Sequence, residues 1–287
     1  MKRVHKILAS LLALGIAAGC AYVDTRQGEW IFRPVQGQWS GYRNQAAHFE
    51  EHWIPVGTEG EKLHAWYSPA ADPDTPALLY LHGARWNLSG SVTRIPRWNR
   101  MGFSVLAIDY RGFGESSAHS PTEQSANEDA EAAWAYLQKL APARKHFIFG
   151  HSLGGAMAAQ LAVRHPEASG LILEATFTNI PELIKEYPLG FLPVGMLVRQ
   201  RFDNLECIPA VKIPVLFAHG TNDSTVPFKM SERLFAAATA PKRFFRAEGG
   251  THHNLSANYF EEYRRTVDEF FGLAVTDKGS SHAIAGS

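Results

Sequence analysis

Short apolar runs alternate along the chain with longer stretches in which apolar residues recur at helical spacing. Continuous apolar runs such as Ala77 to Leu81 are typical of strands buried on both faces of a parallel sheet. Helical spacing is clearest from Ser125 to Leu140 and from Leu153 to Arg164. Further strands are predicted at Ser104 to Asp109, Phe147 to Phe149, Gly170 to Glu174, Pro214 to Ala218 and Arg243 to Arg246. Strands that alternate with helices indicate the α/β fold class, with a doubly wound, mostly parallel sheet whose carboxyl ends gather the active groups.

A histidine pattern that precedes the first of these strands has the spacing of a metal site. His48-Phe49-Glu50-Glu51-His52 matches the H-x-x-E-H signature of zinc proteases, which requires a helix so that both histidines share a face. Trp53 to Gly57 follows instead, with alternation and a proline that point to an edge strand. We therefore predict a hairpin with Leu63 to Tyr67 and no metal site.

The alternation of strands and helices is interrupted by residues 178–210, which include the apolar stretch from Tyr187 to Val198. An apolar insert at the carboxyl edge of the sheet predicts a short cap that roofs an acyl pocket. A patch that meets a membrane and a helix that simply packs on the core are the alternatives. We assign residues 46–273 to one domain that contains this cap.

The chain begins with three basic residues by position 6 and then runs uncharged and mostly apolar from Ile7 to Ala18. This run is too short to span a bilayer comfortably and fits a signal peptide. Small residues directly before Cys20 resemble a bacterial lipoprotein signal, so residues 1–19 are interpreted as a leader and Cys20 as the lipidated mature terminus. By the same resemblance, Ala21 favours the outer membrane, with the protein facing the periplasm. Ordinary secretion and an uncleaved anchor are the alternatives.

The two ends of the chain are predicted to lie outside the domain. Residues 20–45 carry aromatic residues among glycines and polar residues, and we interpret them as a tether that packs on the domain without regular structure. Residues 274–287 are rich in glycine, serine, alanine and threonine, which predicts disorder.

Composition excludes several classes of function. The 287 residues carry a formal net charge of zero, which removes the electrostatic case for a nucleic-acid partner. The two cysteines, Cys20 and Cys207, lie far apart, so neither a disulfide framework nor a paired-cysteine metal site is expected.

The stretch from Phe147 to Gly155 carries the strongest chemical signal. A strand leads into Gly150-His151-Ser152-Leu153-Gly154, and helix formers follow. This is the G-x-S-x-G nucleophile elbow, in which Ser152 lies on a sharp turn from strand to helix and a Cβ two residues before or after it would clash.

A serine nucleophile needs a base, and the base needs a carboxylate to orient it. Asp223, directly beyond the Pro214 to Ala218 strand, is the best acid, and Glu174 is its rival. The Gly-Gly turn after the last strand offers His252 and His253 as bases, of which we favour His252. Acyl transfer also needs two N–H donors for the oxyanion, which we assign to the backbones of Leu153 and Ala84.

These motifs together resemble the serine α/β-hydrolases, and within them the branch related to the ABHD12, ABHD13 and ABHD17 serine hydrolases. The resemblance runs from about Glu50 to Phe271 and implies esterase, thioesterase or acyl-lipid hydrolase activity without a metal or organic cofactor. One departure, Ala84-Arg85-Trp86 after His82-Gly83, bears on access to the acyl site. The motifs are His82-Gly83-x-x-x-Asn87, Asp109 to Ser116, Gly150 to Gly155, His219-Gly220-x-x-Asp223 and Gly249-Gly250-Thr251-His252.

The expected function is that of a lipid-anchored serine hydrolase that cleaves small acyl esters, thioesters or lipids through an acyl-enzyme on Ser152. The alternative from another class is a non-catalytic envelope lipoprotein that keeps the fold as a binding platform. A peptidase or a dehalogenase on the same fold fits less well, since a dehalogenase needs an aspartate at position 152 and a peptidase usually carries a larger cap.

Overall fold

A single eight-stranded sheet organises the protein, with strands in the order β1-β2-β4-β3-β5-β6-β7-β8. The computed structural model describes residues 2–39, 41–42, 46, 48–72, 74–142, 144–188 and 190–273. β2 runs antiparallel to both β1 and β4, and the other neighbours are parallel. The predicted fold class and the predicted hairpin at the edge of the sheet are therefore confirmed. The strands are β1 Glu50–Val56, β2 Glu61–Ser68, β3 Ala77–Leu81, β4 Ser104–Ile108, β5 His146–His151, β6 Gly170–Glu174, β7 Val215–Gly220 and β8 Lys242–Ala247.

Helices cover both faces of the sheet, as a parallel sheet requires. The longest helix inside the domain starts with a capping box, in which the side chains of Thr122 and Ser125 each accept from the other's backbone N–H. The described helices are α1 Lys2–Phe32, α2 Leu88–Ser91, α3 Ile95–Arg100, α4 Glu123–Leu140, α5 Gly154–Arg164, α6 Ile180–Lys185, α7 Asn204–Cys207, α8 Phe228–Ala237, α9 Leu255–Asn258 and α10 Phe260–Phe271, with short 3-10 turns at Pro193–Leu197 and Ile208–Ala210.

Each face of the sheet has its own apolar core. On one face, α4 and α5 present stripes of small residues, among them the fully buried Ala130 and Ala159, which let both helices lie close to the strands. On the other face, the large rings of Trp98 on α3 and Tyr263 on α10 meet edge to face with their centroids 5.7 Å apart. The sheet is thereby held between two layers of helices, and its carboxyl edge is left to the loops.

The segment before the domain differs from its prediction. Residues 20–32 are not an irregular tether but belong to the single helix α1, which ends at Phe32. Phe32 is fully buried against Phe113 and Phe202, and the buried amide of Gln27 accepts from the backbone N–H of Arg199 at 2.8 Å. The end of α1 is thus a packed part of the domain. No helix in the described part of the chain is both long and apolar enough to cross a membrane.

The insert at residues 178–210 folds over the carboxyl edge of the sheet, and we call it the cap segment. It contains α6, the 3-10 turn at Pro193–Leu197 and α7. Asn179 caps α6, and the hydroxyl of Tyr187 donates to the carbonyl of Thr225 at 2.7 Å. The predicted disordered tail, residues 274–287, lies outside the described residues.

Candidate active site

Ser152 lies on a strained corner between β5 and α5. Its φ is 55°, a left-handed value that a non-glycine residue adopts only at a cost. A Cβ on Gly150 would come within 2.4 Å of the Gly154 carbonyl oxygen, and a Cβ on Gly154 within 2.2 Å of the Leu81 carbonyl oxygen. Both contacts are with backbone that cannot move aside. The glycines of the elbow are therefore required by the packing of strand and helix, as the sequence indicates.

Asp223 follows β7 and is held by four hydrogen bonds. Its Oδ1 accepts from the backbone N–H groups of Thr225 and Val226 at 2.8 and 2.9 Å. Its Oδ2 lies 2.7 Å from Nδ1 of His252 and 3.0 Å from Nε2 of His219, and because a carboxylate only accepts, both ring nitrogens donate. Burial opposes ionisation, but the hydrogen bonds from His219 and His252 outweigh it and hold the pKa of Asp223 well below its usual range. The buried group is a carboxylate.

His252 follows β8 on a loop that packs against the loop of Asp223. The backbone N–H of Asn222 donates to the Gly250 carbonyl at 2.9 Å, and a Cβ on Gly220 would lie 2.2 Å from that same carbonyl oxygen. This close approach of two loops brings His252 onto Asp223. His252 is buried, its far nitrogen Nε2 makes no hydrogen bond to another described residue, and the residue lines the same cavity as Ser152.

His253 packs on a different neighbour and forms no ion pair with any carboxylate of the described residues. Its ring stacks on Trp86 with the centroids 4.7 Å apart and the planes 21° from parallel. One edge of the ring reaches solvent, but loss of hydration between its neighbours, followed by repulsion from His252, lowers the pKa of His253 to about 4. His253 is therefore a neutral ring at physiological pH.

His151 supports His252 through the backbone. Burial, together with the nearby charge of Arg94, holds the pKa of His151 well below its usual value. The neutral ring donates its Nε2–H to the His252 carbonyl at 2.9 Å. The rival acid is occupied elsewhere, because Glu174 pairs with Arg94 at 2.6 Å and both side chains are buried. Of the two candidate acids, only Asp223 contacts a candidate base.

The two candidate oxyanion donors lie on either side of Ser152. Leu153 is the cap residue of α5, and Ala84 belongs to the loop after β3, residues 82–87, which we call the β3 loop. Among the described residues, neither backbone N–H has a hydrogen-bond partner. The next N–H, of Arg85, donates to the Phe32 carbonyl at 2.8 Å, so the end of α1 fixes the β3 loop. Both residues line the same cavity as Ser152, and both N–H groups are available as donors there.

Ser152 and His252 line a cavity of about 450 Å³ under the cap segment. The Ser152 hydroxyl makes no hydrogen bond to another described residue. In substrate-free active sites the hydrogen bond between nucleophile and base is often long and shortens when substrate binds. Most of the wall is apolar, which suits an acyl chain. The apolar wall residues come mainly from α1 and the cap segment, with others from the loops after β3, β5, β6 and β7: Val23, Trp30, Ile31, Ala84, Trp86, Leu153, Phe177, Ile180, Leu183, Ile184, Leu197, Val198 and Val226.

Three histidines near Ser152 are close enough together to be considered as metal ligands. His151, His252 and His253 bring one ring nitrogen each within 4.8 Å of the others, and they form the one such cluster in the described part of the chain. His52, from the H-x-x-E-H pattern, lies in β1 rather than on a helix, and its Nδ1 is 2.9 Å from the Tyr136 hydroxyl.

Sequence reasoning missed the support behind Asp223. His219, four residues earlier at the end of β7, is fully buried, and its Nδ1 lies 2.6 Å from the Ser231 hydroxyl on α8. His219 belongs to the His219-Gly220-x-x-Asp223 motif, but the motif alone does not show that its ring donates to Asp223. The stacking of Trp86 on His253 and the part that α1 plays in the cavity had no comparable signal.

Comparison with known proteins identifies the family of this chain. The family described as serine aminopeptidase, S33, matches residues 73–202. An uncharacterised protein of Mycobacterium tuberculosis is 37% identical over 201 residues, which cover 68% of this chain and 70% of that protein. The lysophosphatidylserine lipase ABHD12 of Danio rerio is 31% identical over 214 residues, 67% of this chain and 55% of that protein. This chain is a serine hydrolase of the α/β-hydrolase family.

Solved esterase structures have the same fold. The esterase Pf2001 of Pyrococcus furiosus superposes with a TM-score of 0.67 at 17% identity, over 83% of this chain and 96% of that one. Est1E of Butyrivibrio proteoclasticus gives a TM-score of 0.60 at 20% identity, over 77% and 96%. At these identities the likeness concerns the fold. The chain spans about half the length of the ABHD12 relatives that it resembles.

Proposed function

We propose that the hydrolase cleaves acyl esters or thioesters through an acyl-enzyme on Ser152. The observation that supports it best is the 2.7 Å hydrogen bond from His252 to a buried, ionised Asp223, at the same edge of the sheet as the strained corner that holds Ser152. His252 takes the hydroxyl proton as the Ser152 oxygen attacks the carbonyl carbon. The same proton then passes to the departing alcohol or thiol, and the acyl group stays on Ser152.

Hydrolysis of the acyl-enzyme reverses these roles. A water gives its proton to His252 and attacks the acyl carbon, and the proton returns to Ser152 as the acid leaves. The N–H groups of Ala84 and Leu153 stabilise the negative oxygen in both steps, a contribution of on the order of 3 kcal/mol for each donor. The proposed mechanism needs no cofactor.

The apolar cavity supports an acyl group as the part of the substrate that it encloses. Lipid esters belong to this class, since the ABHD12 relatives carry the name of a lipase. The alternative of a non-catalytic binding platform makes the opposite prediction for chemistry at Ser152, so one experiment separates the two.

We expect a fluorophosphonate probe to label the purified protein on Ser152, because the activated hydroxyl attacks phosphorus and displaces fluoride. Ser152→Ala should give no adduct. Ser256→Ala is the matched control, since Ser256 is buried but does not line the cavity, and it should label like the wild type. Intact-protein mass spectrometry gives the readout. An unlabelled wild type, under conditions in which a known esterase reacts, would favour the binding platform.

We also propose that the hydrolase is anchored in the bacterial cell envelope by a lipid on Cys20, facing the periplasm. Cys20 precedes Val23 by about one helical turn, and Val23 lines the cavity. The rim of the cap segment is apolar, with Phe191 and Met196 exposed to 82% and 86%. An anchor at Cys20 would hold this rim near a lipid surface.

Cys20→Ser should release the protein from the membrane fraction or leave the precursor at full size, because the thiol that carries the lipid is gone. Cys207→Ser is the matched control: Cys207 is the other cysteine and is half-buried on α7, so this variant should stay in the membrane fraction. Fractionation and the mass of the mature protein give the measurement. If Cys20→Ser fractionates and migrates like the wild type, the anchor is not at this residue.

A further inference from the structure

Two arginines stand at the cavity that contains Ser152. Arg33 directly follows α1, Arg85 lies in the β3 loop, and both line the cavity with exposed side chains. Neither forms an ion pair or a side-chain hydrogen bond with another described residue. No aspartate or glutamate is among the residues that line this cavity. A chain of zero net charge therefore concentrates unbalanced positive charge at its candidate active site.

The backbone at both arginines is strained. Arg33 has a φ of 49° and Arg85 a φ of 69°, left-handed values that favour glycine. Such strain persists only where the surrounding structure holds it, and it collects at ligand-binding positions. The Arg85 N–H donates to the carbonyl of Phe32, the residue before Arg33, at 2.8 Å. This hydrogen bond brings the backbones of the two arginines close together. Glycine would relieve the strain but would remove the charge.

Arg85 lies next in sequence to a candidate oxyanion donor. Arg85 directly follows Ala84, the candidate oxyanion donor of the β3 loop, and both residues line the cavity that contains Ser152. The Arg85 side chain and the Ser152 hydroxyl are therefore presented to the same cavity. A guanidinium donates in a planar fork that matches phosphate and carboxylate oxygens.

We propose that Arg33 and Arg85 bind an anionic group, a phosphate or a carboxylate, on the ester or thioester that the enzyme cleaves. The proposal rests on the acyl-transfer function proposed above and adds a charge preference to it. The apolar wall takes the acyl chain, and the arginines take the charged part outside it. A segment that precedes the hydrolase domain thereby contributes a specificity-determining residue, Arg33, to the site.

The test compares matched esters that differ in charge. One pair is monobutyryl glycerol and butyryl glycerol phosphate, and the other is 3-carbamoylphenyl butyrate and 3-carboxyphenyl butyrate. For each variant, kcat/KM of the anionic ester is divided by kcat/KM of its neutral partner. The ratio cancels any change in steps that both esters share, so damage to the β3 loop is not mistaken for lost charge recognition.

We expect the wild-type ratio to exceed one and to fall as salt is raised. Arg33→Gln and Arg85→Gln should each lower it roughly 10-fold, and the double variant more, because each removes charge-assisted hydrogen bonds. Lysine at either position should restore part of the ratio. The matched control is Arg265→Gln, an exposed arginine on α10 that does not line the cavity, and its ratio should equal that of the wild type.

The outcomes separate the two proposals. A ratio that falls only in the phosphate pair supports charge selection and identifies phosphate as the ligand group, and a fall only in the carboxylate pair identifies carboxylate. If the esters are hydrolysed but the ratio in both pairs is the same in the double variant as in the wild type, charge selection is overturned and the acyl-transfer function stands. No hydrolysis of any ester and no fluorophosphonate adduct would overturn the acyl-transfer function itself.

Discussion

Replacing Asp223 by asparagine should lower kcat by roughly 10⁴-fold while leaving the fold in place. The carboxylate accepts from His252 Nδ1 at 2.7 Å, which leaves Nε2 of that ring without a proton and able to take one from Ser152. An amide in the same place can donate to Nδ1, and the ring would then carry its proton on Nε2, where it blocks general-base action. The measurement is kcat on a neutral nitrophenyl ester, normalised to folded protein by circular dichroism.

The same substitution should also destabilise the protein. The carboxylate accepts four hydrogen bonds, two on each oxygen, whereas the amide nitrogen accepts none. The buried Nε2–H of His219 therefore loses the carboxylate as an acceptor and keeps only the Val226 carbonyl at 2.9 Å, and the loss of one such hydrogen bond costs about 1 kcal/mol. Urea unfolding of Asp223→Asn should show a lower midpoint. Asp74→Asn, on the exposed loop before β3, is the matched control and should unfold like the wild type.

Acid should erase this difference in stability, and the direction follows from the pKa. The folded-state pKa of Asp223 is depressed, whereas an unfolded aspartate titrates near 3.9. Its contribution is therefore fully present above about pH 5 and is lost as the pH falls through and below the unfolded value. The gap in unfolding free energy between wild type and Asp223→Asn should shrink between about pH 5 and pH 3. A gap that stays constant over this range would contradict the depressed pKa.

Local pattern was sufficient for most of the fold because the sheet is buried on both faces. A strand such as β3 is apolar along its whole length, and β6 is apolar up to the Glu174 at its end, so both appear in the sequence as short apolar runs. The elbow at Ser152 could also be predicted from sequence, because close backbone contacts exclude every side chain at Gly150 and Gly154 and so require glycine there. The chain order of strands then places Asp223 and His252 at the same edge of the sheet.

The rest could not be predicted because it depends on contacts between distant segments. Residues 20–32 carry charges and a glycine, and nothing local shows that Gln27 would be buried against the cap segment or that Phe32 would hold the β3 loop. Glu174 and Asp223 were both acids at strand ends, and only tertiary structure shows that Arg94 neutralises the first. The unbalanced charge of Arg33 likewise emerges only when its distant neighbours are known.

His252→Ala should lower kcat by roughly three orders of magnitude, and His253→Ala by less than about 10-fold. Adjacent residues in an extended loop point in opposite directions, and the structure resolves them: His252 is buried on Asp223, whereas His253 stacks on Trp86. Two neighbouring rings cannot both reach Asp223 and Ser152. His253→Ala removes a ring stack worth about 1 kcal/mol and leaves the proton path intact.

The two histidines serve as matched controls for each other, because each variant removes one imidazole from the same loop. Both should be assayed on a nitrophenyl ester and normalised by unfolding midpoint, so that a folding defect is separated from a chemical one. Added imidazole should partly restore His252→Ala, since that variant leaves a ring-sized space beside Asp223 and lacks only the base. The pKa of His253 is about 4, so a base at that position would keep kcat high down to about that pH. A larger loss in His253→Ala, together with an acid limb near pH 4 that this variant abolishes, would transfer the role of base to His253 and leave Ser152 as the nucleophile.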